Sequence, residues 1–276
     1  IYNRSAAKEV LGSDDPAFVQ QAVSDWDKYN KTAEKMLIAG YKMTATANDT
    51  YRVFSDNVTT TWTTSNEQNV NVDTNIEKWA KMMKEQVDKG ITGTGNLWSS
   101  EWNKGFYPEG KVFCYFGPAW LADFSMAADD SSSIAAQGGW AACEGPQAFY
   151  WGGTWMCVAK NTDNKELIAD IIRKLTTDDD IMTSIAKNSS DQVNNMNVMD
   201  SLADDSSLGD VVFGGQNALG IYSANAKRLR LQYRTVYDQE CSEKFQFTMN
   251  DYFDGYPDTY EQAVKLFKDR MAGNDV

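Results

Sequence analysis

The sequence predicts an α/β fold built on a mixed sheet. Three observations carry this expectation. Short apolar or alternating runs at 41–47, 111–116, 139–144 and 155–159 have the length and composition of strands. Longer stretches between them repeat apolar residues at three- and four-residue steps, the spacing of an amphipathic helix. Gly, Pro, Asn and Asp punctuate nearly every join. A chain of 276 residues suits one large domain or two lobes, and it can bury a substantial core without covalent staples.

Taken in order, residues 1–4 read as a strand end. Ser5 can cap a helix that runs to about Leu11 and is stopped by Gly12. Asp15 and Pro16 open a helical stretch over 16–38, with Phe18, Ala22, Trp26, Tyr29, Ala33, Met36 and Leu37 sharing a face and Gly40 closing it. The strand over 41–47 delivers Asn48, Asp49, Thr50, Tyr51 and Arg52 at its carboxyl end. In an α/β sheet that is where ligand contacts collect; an Asn-Asp helix cap beneath an exposed Arg reads equally well. Residues 57–73 are Thr- and Asn-rich and predict a loop or small hairpin, whose Trp62 flanks a cleft or covers a lobe.

Residues 74–89 form a clear amphipathic helix, with Ile76, Trp79, Ala80, Met83 and Val87 inward and Gly90 at its end. Ser99 can then cap a short helix carrying Glu101, Trp102 and Phe106. Trp98 and Trp102 lie four apart, so they would share a helix face and bracket a carboxylate.

The stretch 111–160 holds four of the nine Trp: Trp120, Trp140, Trp151 and Trp155. Phe116, Trp120, Tyr150, Trp151 and Trp155 stand beside or within Gly turns. Strands place side chains rigidly and turns leave them open, which favours a binding cleft over a Trp-rich core. Trp140 reads mainly as packing. Gly117-Pro118-Ala119-Trp120 should turn a strand into a helix reaching Met126, whose first N–H groups are free donors.

Asn161 to Asn164 caps a helix through Leu175, with Leu167, Ile168, Ile171, Ile172 and Leu175 expected on its buried face. A short helix follows over 178–186. The Asn-, Ser- and Asp-rich run 187–210 is the best candidate for a crossing between lobes. Helices over about 218–228, 240–253 and 259–271 finish the chain, and Phe245, Met249, Tyr252 and Phe253 form a core stripe.

Lys plus Arg is 26 and Asp plus Glu is 39, a formal charge of −13. This disfavours nucleic acid, for which a basic patch is expected, and likewise anionic lipid and polyanionic ligands. The chain has no His, which excludes Ser-His-Asp, Cys-His and His-based metal sites. Cys114, Cys143, Cys157 and Cys241 are widely spaced, so no CxxC site exists. Cys114, Cys143 and Cys157 sit in strand-like runs and read as buried thiols, with a Cys114–Cys143 bridge open. Asp178 to Asp180 and Asp204-Asp205 read as solvated caps. There is no Asp-x-Asp-x-Asp calcium loop, so neither metal nor other cofactor is expected. The opening IYNRSAAKEVLG reads as a strand running into a helix, which suggests that an upstream part lies outside this sequence.

Five segments carry a family resemblance: IYNRSAAKEVLG, GKVFCYFGPAW, EGPQAFYWGGTWMCVAKNTDNKEL, VFGGQNALGIY and YDQECSEKFQFTMNDYFDG. In this order they resemble the carbohydrate-binding extracellular solute-binding proteins of ABC importers, the maltose-binding-like family 1 group of many Gram-positive bacteria. The GPxW turn and the WGGTW-strand-NxDNKEL pattern are the most specific. The resemblance implies a two-lobe, periplasmic-binding-protein-like (type II) architecture with sugar in the cleft between the lobes. Residues 1–148 and 206–276 would be lobe two, and 149–205 a returning segment of lobe one. The first half of lobe one, the signal peptide and the lipid-anchor Cys would lie outside this chain, and the protein would be an extracellular, cell-surface lipoprotein.

Residue by residue, the resemblance implies sugar stacking on Trp120, from the GPxW turn, and on Trp155 and Trp151 at the crossing strand. Asp49, Tyr51 and Arg52, with Trp98 and Trp102, correspond to cleft-facing segments, and Asp238 to a position near the cleft floor. The implied partners are a carbohydrate ligand and an ABC membrane permease, with no nucleic acid and no membrane contact except through the anchor. No catalytic residue is implied. Two other classes fit the residues alone: a glycoside hydrolase using Glu101 and Glu144 as paired carboxylates, and a non-transport, lectin-like module.

Overall fold

The computed structural model describes residues 1–63 and 70–273. Its centre is a four-stranded mixed sheet in the order β2-β3-β1-β4. These are β1 (Tyr2–Asn3), β2 (Lys42–Thr44), β3 (Val112–Cys114) and β4 (Trp140–Ala141). β2 and β3 run parallel, and β1 is antiparallel to both β3 and β4. Tyr2 sits opposite Cys114 on one side and Ala141 on the other. The mixed sheet is the one expected, with shorter strands. The expected strand over 155–159 does not pair; those residues are exposed and outside the sheet.

The helices up to β3 are α1 (Arg4–Leu11), α2 (Pro16–Val23), α3 (Trp26–Ile38), α4 (Tyr51–Ser55), α5 (Thr74–Asp88) and α6 (Ser100–Asn103). After β3 come α7 (Leu121–Phe124), α8 (Lys165–Thr177), α9 (Asp179–Ser189), α10 (Met196–Leu202), α11 (Leu219–Arg228), α12 (Asp238–Phe253) and α13 (Tyr260–Met271). Side-chain caps explain most of the starts. Asp15, Asp25, Asp73, Ser99, Asp178, Asn195 and Thr259 each accept a bond from a free N–H of the first turn. α1 is capped by Asn3, two residues before the expected Ser5, because the Asn3 side chain reaches Ala6 N at 3.1 Å. Gly12 ends α1 in the left-handed region at φ 88°, its N–H bonded to Lys8 O.

Four apolar clusters hold these elements. One packs α4, α5, α12 and α13 around Trp79, Phe245 and Phe267. Trp62 belongs to it, 5.5 Å from Phe245 and 5.6 Å from Phe267, so it covers this core instead of flanking a cleft. The loop carrying Trp62 is closed by Asp73, which accepts from Thr59 N and Thr60 N at 2.9 and 3.0 Å. The middle of the expected loop or hairpin, 64–69, lies outside the described residues. A second cluster packs α1, α2 and α3 on one face of the sheet. A third holds Trp102, Phe106, Tyr115, Trp140 and Phe213, and Trp140 is packing as expected. The fourth joins α9, α10 and α11 through Met182, Met199 and Leu219.

Two side chains stitch the edge strand β4 to residues 210–216. Gln216 mimics a strand partner, accepting from Ala142 N at 2.8 Å and donating to Ala142 O at 2.9 Å. Arg4 donates to Trp140 O and Phe213 O at 2.9 and 3.0 Å.

The run 187–210 is not all connecting chain: it contains α10, because Asn195 caps it and Val198, Met199 and Leu202 give it a face to bury against α11. Two further expectations need correcting. α8 forms where expected but has no buried residue; Leu167 is 60% exposed, and Ile171 and Leu175 are exposed too. The amphipathic pattern fixed the helix, but among the described residues nothing covers its apolar stripe. Cys114 and Cys143 are not bridged, and Cys157 is exposed because its segment joins no sheet.

Candidate functional site

The site grows from the carboxyl end of β3. There Tyr115 donates its hydroxyl to Trp102 O at 3.1 Å, and the chain turns sharply at Gly117-Pro118. A Cβ at Gly117 would lie 2.3 Å from Leu121 Cδ2, so glycine lets the buried Leu121 side chain pack against this turn. α7 is a single turn that ends at Phe124, shorter than the expected run to Met126. Its function here is to present Trp120.

Trp120 is the middle of an aromatic corner. It stacks on Trp98 with centroids 5.6 Å apart and planes 19° from parallel. Trp151 meets both edge-on, at 5.5 Å from Trp98 and 6.1 Å from Trp120. Trp102 supports Trp98 from behind at 4.8 Å. Trp98 and Trp102 meet, but not along a helix face: Trp98 precedes the cap Ser99 and has φ 67°.

Trp151 is fixed from two sides. Its indole Nε1 donates to Phe116 O at 3.2 Å, and the Arg52 guanidinium lies over its ring at 4.4 Å. Next to it, Tyr150 N donates to the Asp56 carboxylate at 2.5 Å, and Arg234 lies over the Tyr150 ring at 5.5 Å. Arg234 also forms an ion pair with Asp56, whose side chain is almost fully buried. Burial pushes the Asp56 carboxyl up while Arg234 pulls it down; on balance it is raised. Asn57 Nδ2 donates to Ala148 O at 2.9 Å and completes the anchor.

This corner forms one wall of a cleft of about 1000 Å³. Trp120, Tyr150, Trp151 and the Gly152–Trp155 segment line that side. The opposite side is supplied by the end of α9, the residues after it and α11, including Asp191, Gln192, Asn194, Tyr222 and Asn225. One side offers flat apolar faces; the other mixes hydrogen-bonding groups with apolar side chains such as Met182, Val193 and Ile221.

The same arrangement of elements recurs in solved structures. A crystal structure of an extracellular solute-binding protein family 1 member superposes with a TM-score of 0.81 over 98% of this chain and 70% of that chain, at 16% identity. The fold is that of an extracellular solute-binding protein. An ABC transporter associated binding protein from B. animalis subsp. lactis, solved with beta-1,6-galactobiose, matches over 99% of this chain and 71% of that one, with a TM-score of 0.67 and 15% identity. The galacto-N-biose-/lacto-N-biose I-binding protein of Bifidobacterium longum, solved with lacto-N-biose, matches over 99% and 68%, with a TM-score of 0.64 and 15% identity. Neither a protein-family model nor a curated protein sequence matches the chain.

On this solute-binding fold the expected site residues separate into groups. Trp98, Trp120 and Trp151 come together. Arg52 and Trp102 stand behind them. Asp49 is buried, with 2% exposure, and accepts from Trp102 Nε1 at 2.9 Å and Thr46 N at 2.8 Å. The Asp49 carboxylate is held inside the fold beneath the aromatic corner, and Trp102 is also 2% exposed, so both stand behind Trp98 and away from the cleft lining. Tyr51 is buried against Trp79 at 4.9 Å and belongs to the core. Asp238 accepts from Thr235 N and Oγ1 at 2.8 and 2.7 Å at the start of α12, and it is not among the cleft-lining residues. Trp155 lines the cleft but is 82% exposed.

Sequence reasoning missed Asp56, Arg234 and the polar wall. Asp56 follows Arg52 by four residues, a spacing that carries an ion-pair signal, but its real partner lies 178 residues on. The polar wall was hidden because 187–210 read as connecting chain. Glu144 lines the cleft and pairs with Arg228 at 2.5 Å; Glu101 is exposed on α6, pairs with Lys104 and does not line it.

Proposed function

We propose that this protein binds an extracellular mono- or oligosaccharide in the cleft and delivers it to an ABC permease. The observation that carries this reading is the aromatic corner, whose Trp120 and Trp151 line a cleft that also holds Asp191, Gln192, Asn194 and Asn225, with Trp98 stacked on Trp120. A pyranose has apolar C–H faces and a hydroxyl edge. Indole faces remove the former from water at about 25 cal/mol/Å². Amides and carboxylates accept from the latter. Bringing two walls together around the ligand excludes water and shifts an open–closed equilibrium. The sugars bound by the structural neighbours support the same ligand class.

Residues 1–148 and 206–276 would form one lobe, with 149–205 running into the other. The exposed stripe of α8 and the unpaired segment 152–160 support that division. The protein would work outside the cell as an anchored lipoprotein of a Gram-positive bacterium. It would leave its ligand chemically unchanged, since the two candidate hydrolytic carboxylates do not share the cleft. Its site residues would be Trp120, Trp151 and Trp98, with Trp155 added on closure.

A thermal-shift screen against a panel of mono- and oligosaccharides tests the reading. Stabilisation by at least one member, with the sugar recovered intact, is expected. No shift across the panel, or recovery of cleaved sugar, would overturn it.

A further inference from the structure

We infer that the cleft selects by charge, taking uncharged glycans and rejecting those that carry a carboxylate or sulfate, with Asp191 as the residue that sets the preference. This rests on the carbohydrate reading and narrows its ligand class. Among the described residues, the cleft lining holds two carboxylates, Glu144 and Asp191, and no Lys or Arg side chain. Glu144 is neutralised by Arg228 at 2.5 Å. Asp191 has no ion pair among the described residues; it accepts a hydrogen bond from Gln192 N at 2.7 Å. Beside it, Gln192 Oε1 is a buried acceptor without a donor.

The surrounding field has the same sign. Burial is the main cause that raises the hydroxyl of Tyr222, a residue of this side, and Asp210, Asp191 and Asp123 raise it further. Neither Asp123 nor Asp210 has an ion pair among the described residues. The nearest arginines on the other side do not compensate. Arg52 and Arg234 lie behind the aromatic corner, each over a ring and both within the influence of Asp56, and neither lines the cleft.

A carboxylate without an ion pair fits hydroxyl donors, because each ionised oxygen accepts from an O–H that would otherwise bond water. A uronate, sialate or sulfate brought against Asp191 meets a like charge, and among the described residues no Lys or Arg side chain lines the cleft to replace its lost hydration. The preference therefore comes from repulsion as much as from attraction.

The test is calorimetric titration with matched probes: lactose, chitobiose and maltotriose, and glucuronate- or sialate-capped counterparts of each. For any neutral probe that binds, the acidic counterpart should bind about tenfold or more weakly at low salt, with the gap narrowing as salt is added. Asp191→Asn should narrow the gap, and Asn225→Lys, which places a cation on the same wall, should raise affinity for the acidic probe. Acidic probes that bind as well as neutral ones, or a gap unmoved by both variants, would overturn the charge preference and leave the carbohydrate reading standing. Binding of neither kind would overturn the carbohydrate reading itself and this inference with it.

Discussion

Asp49 Oδ1 accepts a hydrogen bond from Trp102 Nε1 at 2.9 Å, with both side chains buried. This contact connects the sheet to the aromatic corner. Asp49 sits just after β2, Trp102 sits on α6, and Trp98 rests on Trp102. A carboxylate that cannot reach a ligand thus helps to place an indole that can. Trp102→Phe keeps most of the ring but removes the donor, leaving a buried acceptor short of a partner. Urea unfolding should show a loss of about 1–3 kcal/mol. An unchanged midpoint would mean that the bond contributes nothing to the fold.

The same carboxylate makes stability depend on pH. Burial lifts Asp49 from 3.8 to about 7, against the pull of its bonds from Trp102 and Thr46. With the folded value above the unfolded one, the native state holds more protons between the two. The group's contribution is therefore fully present below the unfolded value and is lost as pH rises through about 7. A gap of this size corresponds to about 4 kcal/mol. Stability profiles of the wild type should fall over this interval, and those of Asp49→Asn should be flatter. Parallel profiles would assign the titration to another group.

Asp56 is the second buried carboxylate that supports the site. It holds Tyr150 N and Arg234 together, directly beside Trp151. Asp56→Ala would leave a buried N–H and an unpaired guanidinium, with an expected cost of about 3 kcal/mol or more. Amide exchange at Tyr150 and Trp151 should accelerate more than exchange in α12. Equal acceleration everywhere would indicate a global effect, not the loss of a local anchor.

The thiols give an independent check of the packing. Cys157 is exposed, whereas Cys114 and Cys241 are buried. Burial also pushes the Cys143 and Cys114 thiols up, away from the reactive thiolate form. An aromatic disulfide reagent should modify one thiol quickly in the native protein and the remainder only on unfolding. Rapid modification of Cys241 would contradict the packing of α12 against α5.

Much of this fold was legible because its helices are amphipathic and capped by short polar side chains. Asp15, Asp73, Asp178 and Thr259 mark starts that local chemistry alone dictates. The sheet was legible in kind but not in extent. Trp155 to Ala159 has a strand's composition, yet pairing is decided by neighbours far away in sequence. The aromatic corner was partly visible, since Trp120 and Trp151 stand beside Gly turns. That Asp49 and Tyr51 turn inward was not, because five consecutive residues after a strand can equally cap a helix or face a ligand. The polar wall was the least visible part, since α10 is short and its neighbours are Asn- and Ser-rich.

The most direct test of the account is calorimetric titration of the best glycan from the screen into wild type and Trp120→Ala, with thermal unfolding used to confirm that the variant is folded. Trp120 is partly exposed and stacks on Trp98, so its removal should open the corner while leaving the core intact. The account predicts a loss of affinity of about tenfold or more, equivalent to about 1.4 kcal/mol. Unchanged affinity in a folded variant would contradict it and would move the sugar away from the aromatic wall.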